Sequence, residues 1–235
     1  LQEASQHGID LIDTSPAYGS AERDLGELLP PSFQIITKSA RFHSFADLEK
    51  NLDKSLNALK RKSVNGFLIH HMDDFFKAPK ETADALNLLK ANGKTLKIGI
   101  SVYHPTEITE CLQWLKPDII QLPLNVIDQR FLPLLKNLQA QGVELHARSA
   151  FLQGALLIPS QNIPESLGGA KKCIELFQRD CQKNRLHPIA AALHFIQAQP
   201  VDRVVLGCCS QKELKEILSY WNHPKTMLPF DLYQC

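Results

Sequence analysis

Short apolar, β-branched runs recur along the chain, each followed by a stretch of helical periodicity. The runs fall at residues 10–13, 33–37, 64–69, 96–100, 119–122, 143–146 and 203–206. They are near-continuous rather than alternating, the pattern of strands buried on both faces of a parallel sheet. The stretches between them carry helix signals. Ser44 with Asp47 and Ser210 with Glu213 have capping-box spacing, and Pro105 suits a first helical position. Strand–helix alternation of this kind predicts an α/β fold. Seven strands are visible, whereas an eight-stranded barrel typically takes ~250 residues. Residues 1–7 read as the end of a helix with Gly8 as its C-terminal cap. A strand should precede that helix. The expectation is therefore a (β/α)8 TIM barrel whose first strand is missing from the chain. A seven-stranded or doubly wound open sheet is the alternative.

The interval 151–203 is too long for one helix. It opens with Pro159, Pro164 and Gly168-Gly169, which read as a loop, and two helices are predicted near 170–183 and 188–199. A long loop at a barrel mouth is either a functional lid or a plain insertion. No internal domain boundary is visible, so residues 1–235 are expected to form one N-terminally incomplete barrel domain.

Composition narrows the function classes. Hydrophobic residues make up 44% and charged residues 22%, ordinary for a globular protein. The formal net charge is +1, which offers no basic field for nucleic acid or a membrane surface. No apolar run approaches the ~20 residues of a membrane span. The six cysteines, Cys111, Cys173, Cys181, Cys208, Cys209 and Cys235, show neither a C-x-x-C pair nor metal spacing with histidine. In a chain this long they read as reduced thiols, hence a cytoplasmic protein.

Polar residues stand where the predicted strands end. Asp13 closes the first run, with Tyr18 in the loop after it; Lys38 closes the second and His70 the third. In a parallel barrel all these ends meet one rim, where active sites lie. Such a set suits carbonyl reduction, in which a hydride reaches carbon and negative charge grows on oxygen. Tyr is a weak acid, with an ordinary pKa of ~10. A neighbouring lysine cation favours the phenolate, an aspartate holds that cation in place, and a neutral histidine can donate a hydrogen bond to the same oxygen.

The same residues carry a resemblance to a known family. The segment from Gly8 to Gly26, with Asp13-Thr14, Tyr18-Gly19, Glu22 and Leu25-Gly26, resembles the aldo-keto reductase signature. Ile36-Thr37-Lys38 and Leu68-Ile69-His70 resemble its next two motifs, and Gly93-Lys94 to Ser101, residues 119–122 and residues 143–154 resemble later strands. The resemblance implies an NAD(P)H-dependent oxidoreductase on a TIM barrel, acting in carbonyl reduction on a small-molecule carbonyl or alcohol. It implies a catalytic set of Asp13, Tyr18, Lys38 and His70. His71 is passed over, because alternation turns only one of the two histidines inward. Aldehydes, ketones, sugars and steroids all stay open as substrates, and Tyr220, Trp221 and Tyr233 either reach the mouth or pack on the barrel.

No G-x-G-x-x-G follows a strand, so a Rossmann site is absent. The resemblance instead implies a cofactor on the rim, with phosphates in the loops 149–154 and 207–210, the second of which opens a helix. Carried over by position, Ser101 and Gln121 would bind the nicotinamide carboxamide. Arg148 stands where the family commonly has a stacking aromatic residue, and Val102 where it often has Asn. Ser149, Leu152, Gly154, Gly207, Ser210 and Lys212 complete the set. NADP(H) is expected ahead of NAD(H), and no metal is expected.

Two rival readings stand beside this one. The first is a non-catalytic nucleotide-binding regulatory protein on the same fold, against which an intact Tyr-Lys-Asp set argues. The second is a metal-dependent barrel hydrolase using His70, His71 and Asp73 or Asp74; Lys38, Ser101 and Gln121 at the other strand ends are poor ligands for it. The adjacent Cys208 and Cys209 read as buried small residues.

Overall fold

The computed structural model describes residues 1–222 and 228–235. Its contacts divide into two compact units. The first holds Leu1–Gln121 with Gly142–Glu144, the second Leu122–Gln141 with Leu145–Cys235. All recorded strand pairs are parallel, and strand order follows chain order.

The first unit runs α1 (Gln2–Gln6), β1 (Leu11–Asp13), α2 (Ala21–Leu28), β2 (Gln34–Lys38), α3 (Phe45–Ala58), β3 (Val64–Ile69), α4 (Met72–Lys77), α5 (Pro79–Ala91), β4 (Thr95–Ser101) and α6 (Pro105–Cys111), ending in β5 (Ile119–Pro123), which crosses the boundary between the units. Gly8 follows α1 with φ +73°, a conformation that glycine adopts without steric cost and that fits a helix end. Ser44 Oγ accepts from Asp47 N–H at 3.2 Å, and Pro105 opens α6, as the sequence predicts. β2, β3 and β5 are almost wholly buried, which explains their apolar runs, whereas β4 leaves Leu96 and Lys97 exposed before it enters the core at Ile98. At Gly99 an added Cβ would sit 2.1 Å from Ile119 O, so β4 lies against β5 only because it has no side chain there.

A register rule places the functional face. Ile36, Leu68 and Ile119 pack as one apolar layer with Leu11 against it. Side chains on a strand alternate faces, so the residue two positions on shares the direction. Two residues beyond Leu11, Ile36, Leu68 and Ile119 stand Asp13, Lys38, His70 and Gln121. A polar tier therefore caps an apolar floor. Thr37, of opposite parity, turns to the helices, where its hydroxyl donates to the buried Glu22 at 2.6 Å; Ser55 of α3 donates to the same carboxylate at 3.1 Å.

The second unit contains α7 (Leu132–Ala140), most of β6 (Glu144–Arg148), α8 (Lys171–Lys183), α9 (Pro188–Gln197), β7 (Arg203–Val204) and α10 (Gln211–Trp221). Between β6 and α8 the chain makes short 3-10 turns at Leu152–Gly154, Ser160–Asn162 and Glu165–Ala170. β7 is shorter than its apolar run predicts, although Val205 N–H still donates to Ala147 O at 2.7 Å. Ile189, Leu193 and Ile217 form a cluster on which Tyr220, Trp221, Phe151 and Leu206 pack. Tyr233 is buried and its hydroxyl donates to Asp180 at 2.9 Å, so it packs within this unit.

The cysteines correct an expectation. Cys173 of α8 is joined to Cys235 in a disulfide, so the chain does not hold six free thiols, and thiol state no longer argues for a reducing compartment. Cys208 and Cys209 are exposed rather than buried. The thiols of Cys111 and Cys181 are buried, and burial pushes each up to about 12. Among the described residues, no helix is long and apolar enough to cross a membrane.

Candidate active site

In the first unit the polar tier is closed by its own hydrogen bonds. The side chain of Lys38 is 1% exposed, and its ammonium pairs with Asp13 Oδ1. It also donates to Thr14 O at 3.3 Å. The other carboxylate oxygen, Asp13 Oδ2, accepts from Gln121 Nε2 at 2.8 Å. A buried ammonium requires such partners, since burial without them costs several kcal/mol (about 3–5 when one member of a buried pair is removed). Lysine and aspartate thus fix one another, and Gln121 fixes the aspartate.

Tyr18 stands on the loop after β1, half exposed at 50%. Its ring centre lies 5.4 Å from Lys38 Nζ and 6.1 Å from the His70 ring, edge to face at 87°. His70 follows β3; its N–H donates to Ser39 Oγ at 3.2 Å, and its Nδ1 lies 3.2 Å from the buried Ser15 Oγ. His71 stacks on His70 with ring centres 4.7 Å apart. The structure therefore brings Asp13, Lys38, Tyr18 and His70 together, with Gln121 joined to them. Ser101 ends β4 opposite Gln121 in the register and is buried.

Of the two aspartates invoked by a metal-hydrolase reading, Asp74 is otherwise engaged. Asp74 Oδ1 pairs with Lys77 at 2.7 Å and with Arg41 at 3.3 Å. Burial pushes its carboxyl up, but these two cations outweigh burial and hold it below the ordinary carboxylate value.

The remaining predicted residues lie in the second unit. Arg148 ends β6 and reaches Ser149 Oγ at 3.4 Å. Ser149, Leu152, Gln153 and Gly154 all have positive φ, a run of left-handed backbone anchored where Asn125 Nδ2 donates to Ser149 O at 3.1 Å. Non-glycine residues held this way are strained, and such strain clusters at functional sites. Gly207 is exposed, and nothing lies within 4 Å of a Cβ added there or at Gly154. Ser210 Oγ caps α10 by accepting from Glu213 N–H at 3.1 Å, while Glu213 Oε2 accepts from Cys209 N–H at 2.7 Å. The return bond of the capping box thus lands one residue before Ser210. Lys212 is exposed in the first turn.

Sequence reasoning missed Ser15, Ser39 and the bond from Gln121 to Asp13. Ser15 left one trace: followed by Pro16, it accepts from Ala17 N–H at 3.1 Å, the turn that a Ser-Pro pair favours. The Gln121 bond left none, because it spans 108 positions.

The Aldo/keto reductase family model matches residues 1–229. The chain is 30% identical over 213 residues to the NADH-specific methylglyoxal reductase of Escherichia coli, covering 77% of this chain and 64% of that protein. It is 31% identical to the L-galactose dehydrogenase of Arabidopsis thaliana, covering 70% of this chain and 57% of that protein. The chain therefore spans less than two thirds of the length of these curated relatives. Among solved structures, aldo-keto reductase AKR11C1 from Bacillus halodurans in its holo form superposes with a TM-score of 0.81 at 21% identity, covering 96% of this chain and 81% of that one. The glycerol dehydrogenase AKR11B4 from Gluconobacter oxydans gives 0.70 at 21%, covering 97% and 86%. At this identity the likeness shows the fold alone, an α/β barrel of the aldo-keto reductase type.

Proposed function

This chain belongs to the aldo/keto reductase family, and from that premise we propose that it is an oxidoreductase that interconverts a small carbonyl compound and its alcohol, a bound nicotinamide supplying or taking the hydride. The observation that carries the reading is the buried Lys38–Asp13 pair, with its ammonium 5.4 Å from the Tyr18 ring centre and the His70 ring centre 6.1 Å from it. Tyr18 is the acid that gives a proton to the carbonyl oxygen in reduction and takes it back in oxidation. Lys38 supplies the fixed cation that favours the phenolate. Asp13 and Gln121 keep Lys38 charged and aimed. His70 donates a hydrogen bond to the same oxygen and orients the carbonyl.

The residues present suit a dinucleotide. Gln121 gives an N–H to Asp13, so its side-chain carbonyl is the acceptor it offers a carboxamide, with the Ser101 hydroxyl next to it in the register. In the second unit, Arg148 offers a planar guanidinium for stacking. Ser149, Leu152 and Gly154 line one loop; Gly207, Ser210 and Lys212 line the start of α10, where helix N–H groups favour phosphate. NADP(H) is the cofactor we assign ahead of NAD(H), on Lys212 as the cation of that turn and on Glu213 being drawn back to Cys209 N–H. The name of the E. coli relative supports the other choice.

Titration of the protein with NADPH and NADH, followed by turnover over an aldehyde panel, tests the reading. Tyr18→Phe is expected to keep cofactor affinity and lose about 10²–10⁴ in kcat, the usual worth of a positioned acid. Undiminished turnover in that variant would overturn the assignment of the acid. Tighter binding of NADH would reverse the cofactor choice.

A further inference from the structure

Ser15 is spoken for by neither the fold nor the chemistry above, yet it is buried within reach of the imidazole. Its Oγ lies 3.2 Å from His70 Nδ1 and accepts from Ala17 N–H at 3.1 Å. A hydroxyl has one proton and two lone pairs, and a neutral imidazole has one donor and one acceptor nitrogen. The Ala17 N–H occupies one lone pair of Ser15. If Nδ1 carried the histidine proton, Ser15 would accept twice and its own proton would need a further acceptor. If Nδ1 is bare, the Ser15 O–H donates to it and both contacts are satisfied. The serine is held for this: Pro16 fixes the turn, and the bond to Ala17 N–H sets the oxygen's position. The backbone that carries the imidazole is fixed as well, because the main-chain N–H of His70 donates to Ser39 Oγ.

From this geometry we propose that Ser15 is a positioning residue that fixes His70 in the tautomer protonated at Nε2. The inference rests on the reading of His70 as the group that orients the carbonyl, and it names how that group is kept ready. Which nitrogen of a histidine is protonated is set by the hydrogen bond that the other makes. With Nδ1 accepting from Ser15, the ring proton stands on Nε2, the nitrogen whose N–H can donate to a carbonyl oxygen. A histidine that samples both tautomers would present a bare nitrogen to that oxygen part of the time, which weakens kcat rather than cofactor binding.

The test reads the tautomer directly. Long-range ¹H–¹⁵N spectra of the full chain, with the His70 signals assigned by their loss in His70→Asn, are expected to show a single Nε2–H form. In Ser15→Ala the same signals should move toward a tautomer mixture, kcat should fall about three- to tenfold, the scale of one lost hydrogen bond, and NADPH affinity should hold. Ser15→Thr, which keeps the hydroxyl, should restore the Nε2–H form. A wild-type His70 protonated at Nδ1 overturns the proposal without any variant having to fold. So does an unchanged tautomer in Ser15→Ala, or a changed tautomer with kcat intact. Full turnover in His70→Asn would instead remove the role given to the histidine, while the spectra would still decide whether Ser15 sets its proton.

Discussion

Lys38 and Lys212 are both assigned to one reaction, and they live in opposite surroundings. Lys38 is buried in the first unit, with its charge bonded to Asp13 and Thr14 O. Lys212 is exposed in the second, on the first turn of α10. The contrast extends to their neighbours. Asp13, Gln121, Ser15 and Ser39 hold the first set through side-chain hydrogen bonds made from different strands and loops. The second set is shaped by backbone: left-handed residues at 149 and 152–154, a bare Gly207 and a capped helix start. The groups assigned to hold the cation beside Tyr18 are locked by burial, while Tyr18 itself is half exposed and the groups assigned to a charged ligand at α10 stand in water.

Lys38→Met is the sharpest way to break this contrast. It leaves Asp13 with Gln121 alone, and removing one member of a buried pair costs about 3–5 kcal/mol. The expected result is a protein destabilised by that amount in urea and without measurable turnover. Lys212→Met should change stability by less than ~0.5 kcal/mol, as surface substitutions do, and weaken NADPH binding. Similar losses of stability at the two positions would erase the distinction between them.

The second unit has its own strong link in the disulfide. Cys173 and Cys235 are 62 positions apart, and closing a loop of that length restricts the unfolded chain by about 4 kcal/mol. The last residues are also tied by Gln129 Nε2 to Phe230 O at 2.8 Å and Cys235 N–H to Ile127 O at 3.2 Å. Cys235→Ser should therefore lower stability by up to that amount, and a reducing agent should lower the wild type to the same level while leaving the variant unmoved. Thiol labelling of the native protein should mark the exposed Cys208 and Cys209 first. Cys111 and Cys181, buried and held near 12, should react only on unfolding. Insensitivity of the wild type to reductant would remove the link.

The two units also differ in how much of them could be read along the chain. β3 was predicted at its full extent, because a strand buried on both faces writes its length as an apolar run. Asp13, Lys38 and His70 are legible for a related reason: each stands where an apolar run ends, which is a local property, whereas Gln121 enters only through the family resemblance. What holds the tier was not legible. Ser15 meets His70 across 55 positions and Gln121 meets Asp13 across 108, and no local pattern records which strands become neighbours at which height. The disulfide escaped for the same reason. In the second unit the helices α8 and α9 were found near their predicted spans, because amphipathic or fully apolar periodicity is local too. The left-handed run at 152–154 left no mark, since only Gly154 in it is a residue type that favours that conformation.

A smaller effect than the disulfide's falls at the point where fold and ligand share one group. Ser210 caps α10 through Glu213 N–H and is also assigned to a phosphate. Ser210→Ala removes a cap worth about 1 kcal/mol. If the hydroxyl serves only the helix, the loss should appear in stability and leave NADPH affinity unchanged. If it also serves the cofactor, affinity should fall as well, and Ser210→Asp separates the two roles. Aspartate is as good a cap and suits the helix dipole, so stability should return. Its charge opposes a phosphate, so affinity should fall below that of the alanine variant. Calorimetric unfolding and NADPH titration of the two variants read these outcomes independently. Affinity that follows stability in both variants would show that α10 contributes to cofactor binding only by being folded.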